Sequence, residues 1–490
     1  MSNPLFAKKP LKMLLEEAKG ENRLRRILGP GQLTALGVGA IIGAGIFVAT
    51  GQAANNVAGP ALMMSYVVAG ITCVFAALCY AEFASMVPVA GSAYTYAYAT
   101  LGEFFAWIIG WDLVLEYAVG SATVANGWSS YFQSVLAKFE IFLPASLAGP
   151  YWVYDEKTEQ LLHKGGLINL PAVLIVVVVT LVLVKGIQES ARFNAAMVLL
   201  KVAAVLFVIA VGAFFINTEN WTPFAPFGWG FDTMPNGDKK GMLAGAAIIF
   251  FAYIGFDSVS THAEEAKNPQ RDVPIGIVTS LVVCTVLYIA VVAVLTGMVR
   301  YDQISIGAGV SDAFNQKGLG WAEFLIAGAG VAGITSVLLV MMLSGPRVFL
   351  AMARDGLVPK AFFSAVHEKF KTPYKSTILI GVFVSIMAGL LPIDALLHLT
   401  NIGTLLAFVI VCAAVLIMRK THPEAERPFR CPMVPIIPIL GIACCLMLML
   451  SLPMANWWRL GVWLLLGLVI YFAYGKRHSA LARHNAGLPK

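Results

Sequence analysis

The segment Gly39-Ala-Ile-Ile-Gly-Ala-Gly-Ile-Phe47 lies in the middle of an apolar stretch and interrupts it with glycine. A second apolar stretch, Phe250-Phe-Ala-Tyr-Ile-Gly-Phe-Asp257, is interrupted in the same way and carries a carboxylate. Lipid gives a backbone no hydrogen bonds, so an unwound segment at that depth survives only inside protein or beside a polar cavity. Two glycine-broken helices in corresponding places of two halves mark the substrate site of transporters built from repeats. The two segments therefore predict both an architecture and the place where its chemistry sits.

The surrounding chain fits that setting. It is 490 residues long, 59% hydrophobic and 12% charged, with a mean hydropathy of +0.78. No soluble domain hides so much apolar side chain, and the fold class is an all-α integral membrane protein. The seven cysteines (Cys73, Cys79, Cys284, Cys412, Cys431, Cys444, Cys445) have no metal-ligand spacing and read as packing residues. The net charge of +7 speaks for topology, not for a nucleic-acid partner. Residues 1–32 show no signal-peptide cleavage pattern. From Phe6 to Leu28 apolar residues alternate with Lys and Arg, which predicts an amphipathic helix on the inner leaflet of the bilayer.

Twelve candidate transmembrane helices can be drawn, each near the ~20 residues a bilayer requires. They run over 33–56, 60–87, 103–131, 168–185, 192–216, 242–262, 274–299, 321–353, 376–391, 395–419, 434–452 and 458–474. With the amino terminus in the cytoplasm, 24 of the 34 lysines and arginines fall on the inner side and 8 on the outer side. The positive-inside rule then places both termini in the cytoplasm. The two remaining, Lys201 and Arg347, lie within spans 5 and 8. Spans 1 and 6 carry the breaks, and five crossings separate them, so the second set enters from the opposite side. That is the pattern of a 5+5 inverted repeat. It divides the chain into an inner segment 1–32, a first repeat 33–216, a second repeat 242–419, two additional helices within 434–474 and a cytoplasmic tail 475–490.

Several phrases carry a family resemblance. They are Gly43-Ala-Gly-Ile-Phe47, Pro88-Val-Ala-Gly-Ser-Ala-Tyr94, Gly110-Trp111 with Leu115-Glu116-Tyr117, Glu264-Glu-Ala-Lys-Asn-Pro-Gln-Arg-Asp-Val-Pro-Ile-Gly-Ile277, Ala351-Met-Ala-Arg-Asp-Gly-Leu-Val-Pro359 and Arg427-Pro-Phe-Arg-Cys-Pro432. Together they resemble the amino acid–polyamine–organocation superfamily, and most closely its cationic amino acid transporters. The resemblance covers all twelve spans and is most specific between Glu264 and Ile277. It implies a leucine-transporter-like fold that moves amino acids across the plasma membrane by alternating access.

A zwitterionic substrate needs donors for its carboxylate and acceptors for its ammonium. The first break leaves amides near Gly43, Ala44 and Gly45 without intrahelical partners, at a helix end whose partial positive charge favours an anion. The second break is expected to offer carbonyls of Phe251, Ala252 and Ile254 to the ammonium, together with that of Ile41 across the site. The resemblance gives the two breaks these same two roles. The competing readings are small-residue helix packing and, for Gly37-Val-Gly39, a dinucleotide-binding turn. The second fails because no strand precedes it and no βαβ unit follows.

Lys201 lies nine residues beyond Arg192, or ~14 Å into the bilayer at ~1.5 Å per residue. An ionisable group at that depth is a functional candidate, and burial disfavours a charged ammonium. Proton-coupled relatives place a lysine on this helix where sodium-coupled ones hold a cation. Lys201 is therefore the expected carrier of the coupling proton, bridging carbonyls near Ile42 and Gly43 to Thr335 or Ser336. The alternative is a lysine paired structurally with a carboxylate. Glu116 shares a helix face with Asp112 and is expected to meet a cationic side chain or relay a proton. Asp257 is expected to meet such a side chain too; for either acid the competing role is structural. Met341 is expected to shorten the side-chain pocket, Phe251 to gate it, and Arg347 to snorkel inward.

No His-Glu-x-x-His, Gly-x-Ser-x-Gly or P-loop occurs, which argues against an enzyme or a primary pump. Polar groups cluster near the midplane, which argues against a channel. The function expected is a proton-coupled symporter of L-amino acids with broad specificity, alanine, arginine and lysine being the candidates. An exchanger or a non-transporting sensor of the same fold remains the alternative. No cofactor, metal or catalytic residue is expected.

Overall fold

A computed structural model describes residues 7–10, 28–86, 92–155, 160–163, 166–186, 191–234, 239–261, 263, 266–370 and 372–485. The amphipathic helix expected over 6–28 lies outside the described residues except at 7–10 and 28, as do Pro88 to Gly91, Glu264, Glu265 and the last five residues of the tail.

The chain is built from helices: α1 (Pro30–Ile41), α2 (Leu62–Met86), α3 (Ser92–Thr100), α4 (Glu103–Ala137), α5 (Leu170–Lys185), α6 (Ala191–Gly212), α7 (Met242–Ile249), α8 (Pro269–Met298), α9 (Gly320–Arg354), α10 (Tyr374–Leu390), α11 (Ile393–Thr421), α12 (Ile436–Leu450) and α13 (Met454–Ile470). Short helical turns over Gly45–Ala49, Thr50–Ala53 and Ala54–Ala58 follow α1 in the chain. Among the described residues seven helical runs are long and apolar enough to cross a membrane, and four apolar helices are shorter. The chain is a multi-pass membrane protein.

Local chemistry sets the helix ends. Pro30 opens α1 at a position where its missing N–H costs nothing, and Gly29 N donates to Gln32 Oε1 at 2.9 Å. Asn169 caps α5 by accepting from Ala172 N at 3.3 Å. The helix Ser92–Thr100 falls where the sequence predicts only a connection between two spans. The long connection before α5 holds an antiparallel hairpin, Trp152–Asp155 with Gln160–His163.

The helices pack against one another in definite pairs. α4 lies against α9 and α11, α8 against α1 and α2, α10 against α5, and α7 against α2. At one end of the bundle Glu82 holds the phrase Arg427 to Pro432. Its carboxylate accepts from Arg419 Nη2 at 2.7 Å and Cys431 N at 2.8 Å, and it pairs with Arg427 Nε at 3.2 Å. Nearby, Lys9 Nζ reaches Asp355 Oδ1 at 3.0 Å, and Tyr94 Oη donates to Asp355 Oδ2 at 2.7 Å. All seven cysteines are free thiols.

Candidate functional site

Both glycine-containing segments are unwound. α1 stops at Ile41, and Ile42 is extended (φ −70°, ψ 104°). The first bond of the resumed helix runs from Phe47 N to Gly43 O at 3.3 Å. The amides of Gly43, Ala44 and Gly45 precede that bond and have no acceptor within their own helix. In the second segment α7 stops at Ile249 and a tight turn covers Phe250–Tyr253. Ile254 is extended (φ −56°, ψ 132°) and Gly255 takes φ +119°, a conformation that L side chains rarely adopt.

The two breaks touch. A Cβ at Gly45 would lie 2.2 Å from Ala252 Cα, and one at Gly255 would lie 2.8 Å from Ala40 O. Only glycine at these two places lets the backbones come so close. Peptide groups released from helical pairing in two chain segments therefore converge in one buried region, which suits a small ligand carrying both a negative and a positive group.

Lys201 is fully buried, and its ammonium donates to Gly39 O at 2.6 Å and to Ser336 Oγ at 3.2 Å. It joins α6 to the last turn of α1 before the break and to α9. Its stem runs along α9, where a Cβ at Gly333 would stand 3.2 Å from Lys201 Cγ. Thr335 is engaged elsewhere, accepting from Trp128 Nε1 at 2.8 Å.

Glu116, Asp112 and Asp257 are all buried, and Glu116 lies within electrostatic reach of the other two. Tyr117 Oη donates to Asp257 Oδ2 at 3.2 Å. Met341 is buried against α4: a Cβ at Gly120 would stand 3.4 Å from its Sδ. One turn earlier on α9, Val337 packs on the first break, 2.6 Å from a Cβ at Gly43. Met341 thus lies one turn beyond the residue that packs on the first break.

Residues 28–471 match the family described as amino acid permease. The chain belongs to that family. It stands within the amino acid–polyamine–organocation superfamily, near the cationic amino acid transporters. It is 45% identical to a methylthioribose transporter of Bacillus subtilis (strain 168), covering 97% of this chain and 99% of that one. It is 48% identical to a branched-chain amino acid permease of the same organism, covering 98% of this chain and all of the relative. It is also 30% identical to human cationic amino acid transporter 4, covering 95% and 89% of the two chains.

In this permease the residues singled out from sequence do not all fall at the breaks. Gly43, Ala44, Gly45, Phe251, Ala252 and Ile254 lie at the two breaks, and Ile41 is the last residue of α1. The Ile41 carbonyl already accepts from Tyr288 Oη at 2.8 Å, and that of Phe251 from Ile254 N at 3.3 Å. Each keeps only its second lone pair for a ligand. Lys201 bridges the first broken helix to Ser336 through Gly39, one turn before the break. Arg347 is exposed on α9.

Sequence reasoning missed two groups. Tyr288 of α8 ties down the end of α1. Asn401 of α11 donates from Nδ2 to Ala247 O at 2.9 Å and to Ile248 O at 2.8 Å, at the end of α7. A lone asparagine in an apolar run was a signal, since polar side chains at membrane depth are costly and find partners.

Proposed function

We propose that this permease is a proton-coupled secondary active transporter of L-amino acids, working by alternating access in the plasma membrane with both termini cytoplasmic. The single observation that carries the proposal is the meeting of two broken helices at Gly45 and Ala252. The amides of Gly43, Ala44 and Gly45 bind the substrate carboxylate, and carbonyls of Ala252 and Ile254, with the spare lone pairs of Ile41 and Phe251, bind its ammonium. Twelve transmembrane helices in a leucine-transporter-like 5+5 inverted repeat, with two additional helices, fit both the breaks and the charge distribution.

Lys201 carries the coupling proton in this reading. Protonated, it holds Gly39 and Ser336 together. Deprotonated, it has one donor fewer, and the contact between the first broken helix and α9 loosens. Selectivity is broad, because main-chain recognition ignores the side chain. Glu116 and Asp257 supply acceptors for a cationic side chain, and Met341 shortens the pocket. Small and branched neutral amino acids therefore stand ahead of arginine and lysine, in keeping with the relative named for branched-chain substrates.

Uptake of labelled L-alanine and L-leucine into proteoliposomes tests the reading. The vesicles contain no amino acid, and a pH gradient, acid outside, is imposed. Accumulation that collapses with a protonophore is expected. Counterflow without gradient-driven accumulation would establish an exchanger, and binding without either would establish a sensor. The relative named for methylthioribose makes that neutral thio-sugar the competing substrate. It has neither ammonium nor carboxylate, and its uptake in place of amino acids would overturn the head-group site.

A further inference from the structure

A helix that ends in the middle of a bilayer leaves its last carbonyls without donors, and no water is at hand to supply them. α7 faces this problem where it gives way to the tight turn at Phe250, whose own N–H reaches back to Ala246 O and Ile248 O while the next helical bonds are not made. Asn401 solves it from another helix. It is fully buried, and its amide spends both N–H groups on the carbonyls of Ala247 and Ile248. Its own Oδ1 is left buried with no hydrogen-bond partner among the described residues. The reverse orientation of the amide would set that oxygen against two carbonyl oxygens. The side chain is held in place by what it donates.

In a continuous helix the Ala247 carbonyl would accept from Phe251 N and the Ile248 carbonyl from Ala252 N. Asn401 occupies both carbonyls and so removes the incentive for α7 to propagate through the break. Phe251 and Ala252 stay in the tight turn, Ala252 stays against Gly45, and the carbonyls of Ala252 and Ile254 stay at the break. We infer that Asn401 is a positioning residue for the substrate's ammonium group, acting through the end of α7 and not by touching substrate. The inference rests on the head-group reading above.

Binding of a neutral L-amino acid and of its α-hydroxy acid analogue, which lacks the ammonium, separates this role from a merely structural one. Both ligands are titrated against purified wild type, Asn401→Ala and the equal-volume Asn401→Asp, which serves wherever the alanine variant does not fold. Expected is a loss for the amino acid of about tenfold or more, the same for alanine as for leucine. The hydroxy acid should change by less than about twofold, as a double-mutant cycle requires when the two groups are coupled. Equal weakening of both ligands, or unchanged amino acid affinity in a folded variant, overturns the role of Asn401 and leaves the transporter reading intact. A wild type that binds no amino acid overturns that reading and this one with it.

Discussion

Gly45 and Ala252, from broken helices more than two hundred residues apart, lie so close that a Cβ on Gly45 would fall 2.2 Å from the Ala252 Cα. Such overlap with backbone cannot be relieved by a rotamer change, so the two breaks must separate if Gly45 is enlarged. Gly45→Ala should abolish amino acid uptake and lower stability by about 1–3 kcal/mol, the usual cost of overpacking. Gly31→Ala, where a Cβ meets nothing within 4 Å, should leave both unchanged. Uptake and thermal unfolding of the two purified variants check the contrast.

Lys201 links α1 to α9 through Gly39 and Ser336. Lys201→Met keeps most of the stem and removes the proton and the donors. Accumulation driven by a pH gradient should fall at least about a hundredfold, in line with loss of a positioned proton-transfer group, while counterflow persists at a reduced rate. Full gradient-driven accumulation in this variant would exclude Lys201 as the proton carrier.

Met341 packs against Gly120 one turn beyond the residue that touches the first break. Met341→Ala and Met341→Ser should admit longer side chains, arginine and lysine among them, improving their competition against labelled alanine by about tenfold. A gain of that size equals the value of one or two methylenes of pocket volume. An unchanged ranking across the twenty amino acids would remove Met341 from the pocket.

Glu82 is buried between two arginines and a backbone amide. Glu82→Gln leaves both guanidinium groups without their counter-charge and should cost about 3–5 kcal/mol, as breaking a buried pair does. Asp302→Asn, which disrupts the exposed Arg300–Asp302 pair, should stay within about 1 kcal/mol. Unfolding midpoints in detergent compare the two.

How much of this was legible in the sequence depended on the kind of signal. The breaks were visible because clustered glycine weakens a helix at a depth where lipid offers the freed backbone nothing. The helices were visible because a bilayer demands long apolar stretches. Lys201 stood out as a charge at membrane depth, but its acceptor did not. Which carbonyl it reaches depends on how α6 is rotated against α1, and no spacing within one helix encodes that. Helix Ser92–Thr100 is short, and its shape comes from packing against α4 and α11, which no local pattern announces. Asn401 matters through two carbonyls more than 150 residues away, and these are released from their regular helical partners only because α7 stops where it does.

The most direct measurement is a structure determined with a neutral L-amino acid bound. The expected result places the ligand carboxylate within about 3 Å of amides at Gly43, Ala44 or Gly45 and its ammonium within about 3 Å of carbonyls at Ala252 or Ile254, the range of a hydrogen bond. Continuous helices through both segments, or a ligand lodged away from them, would contradict it.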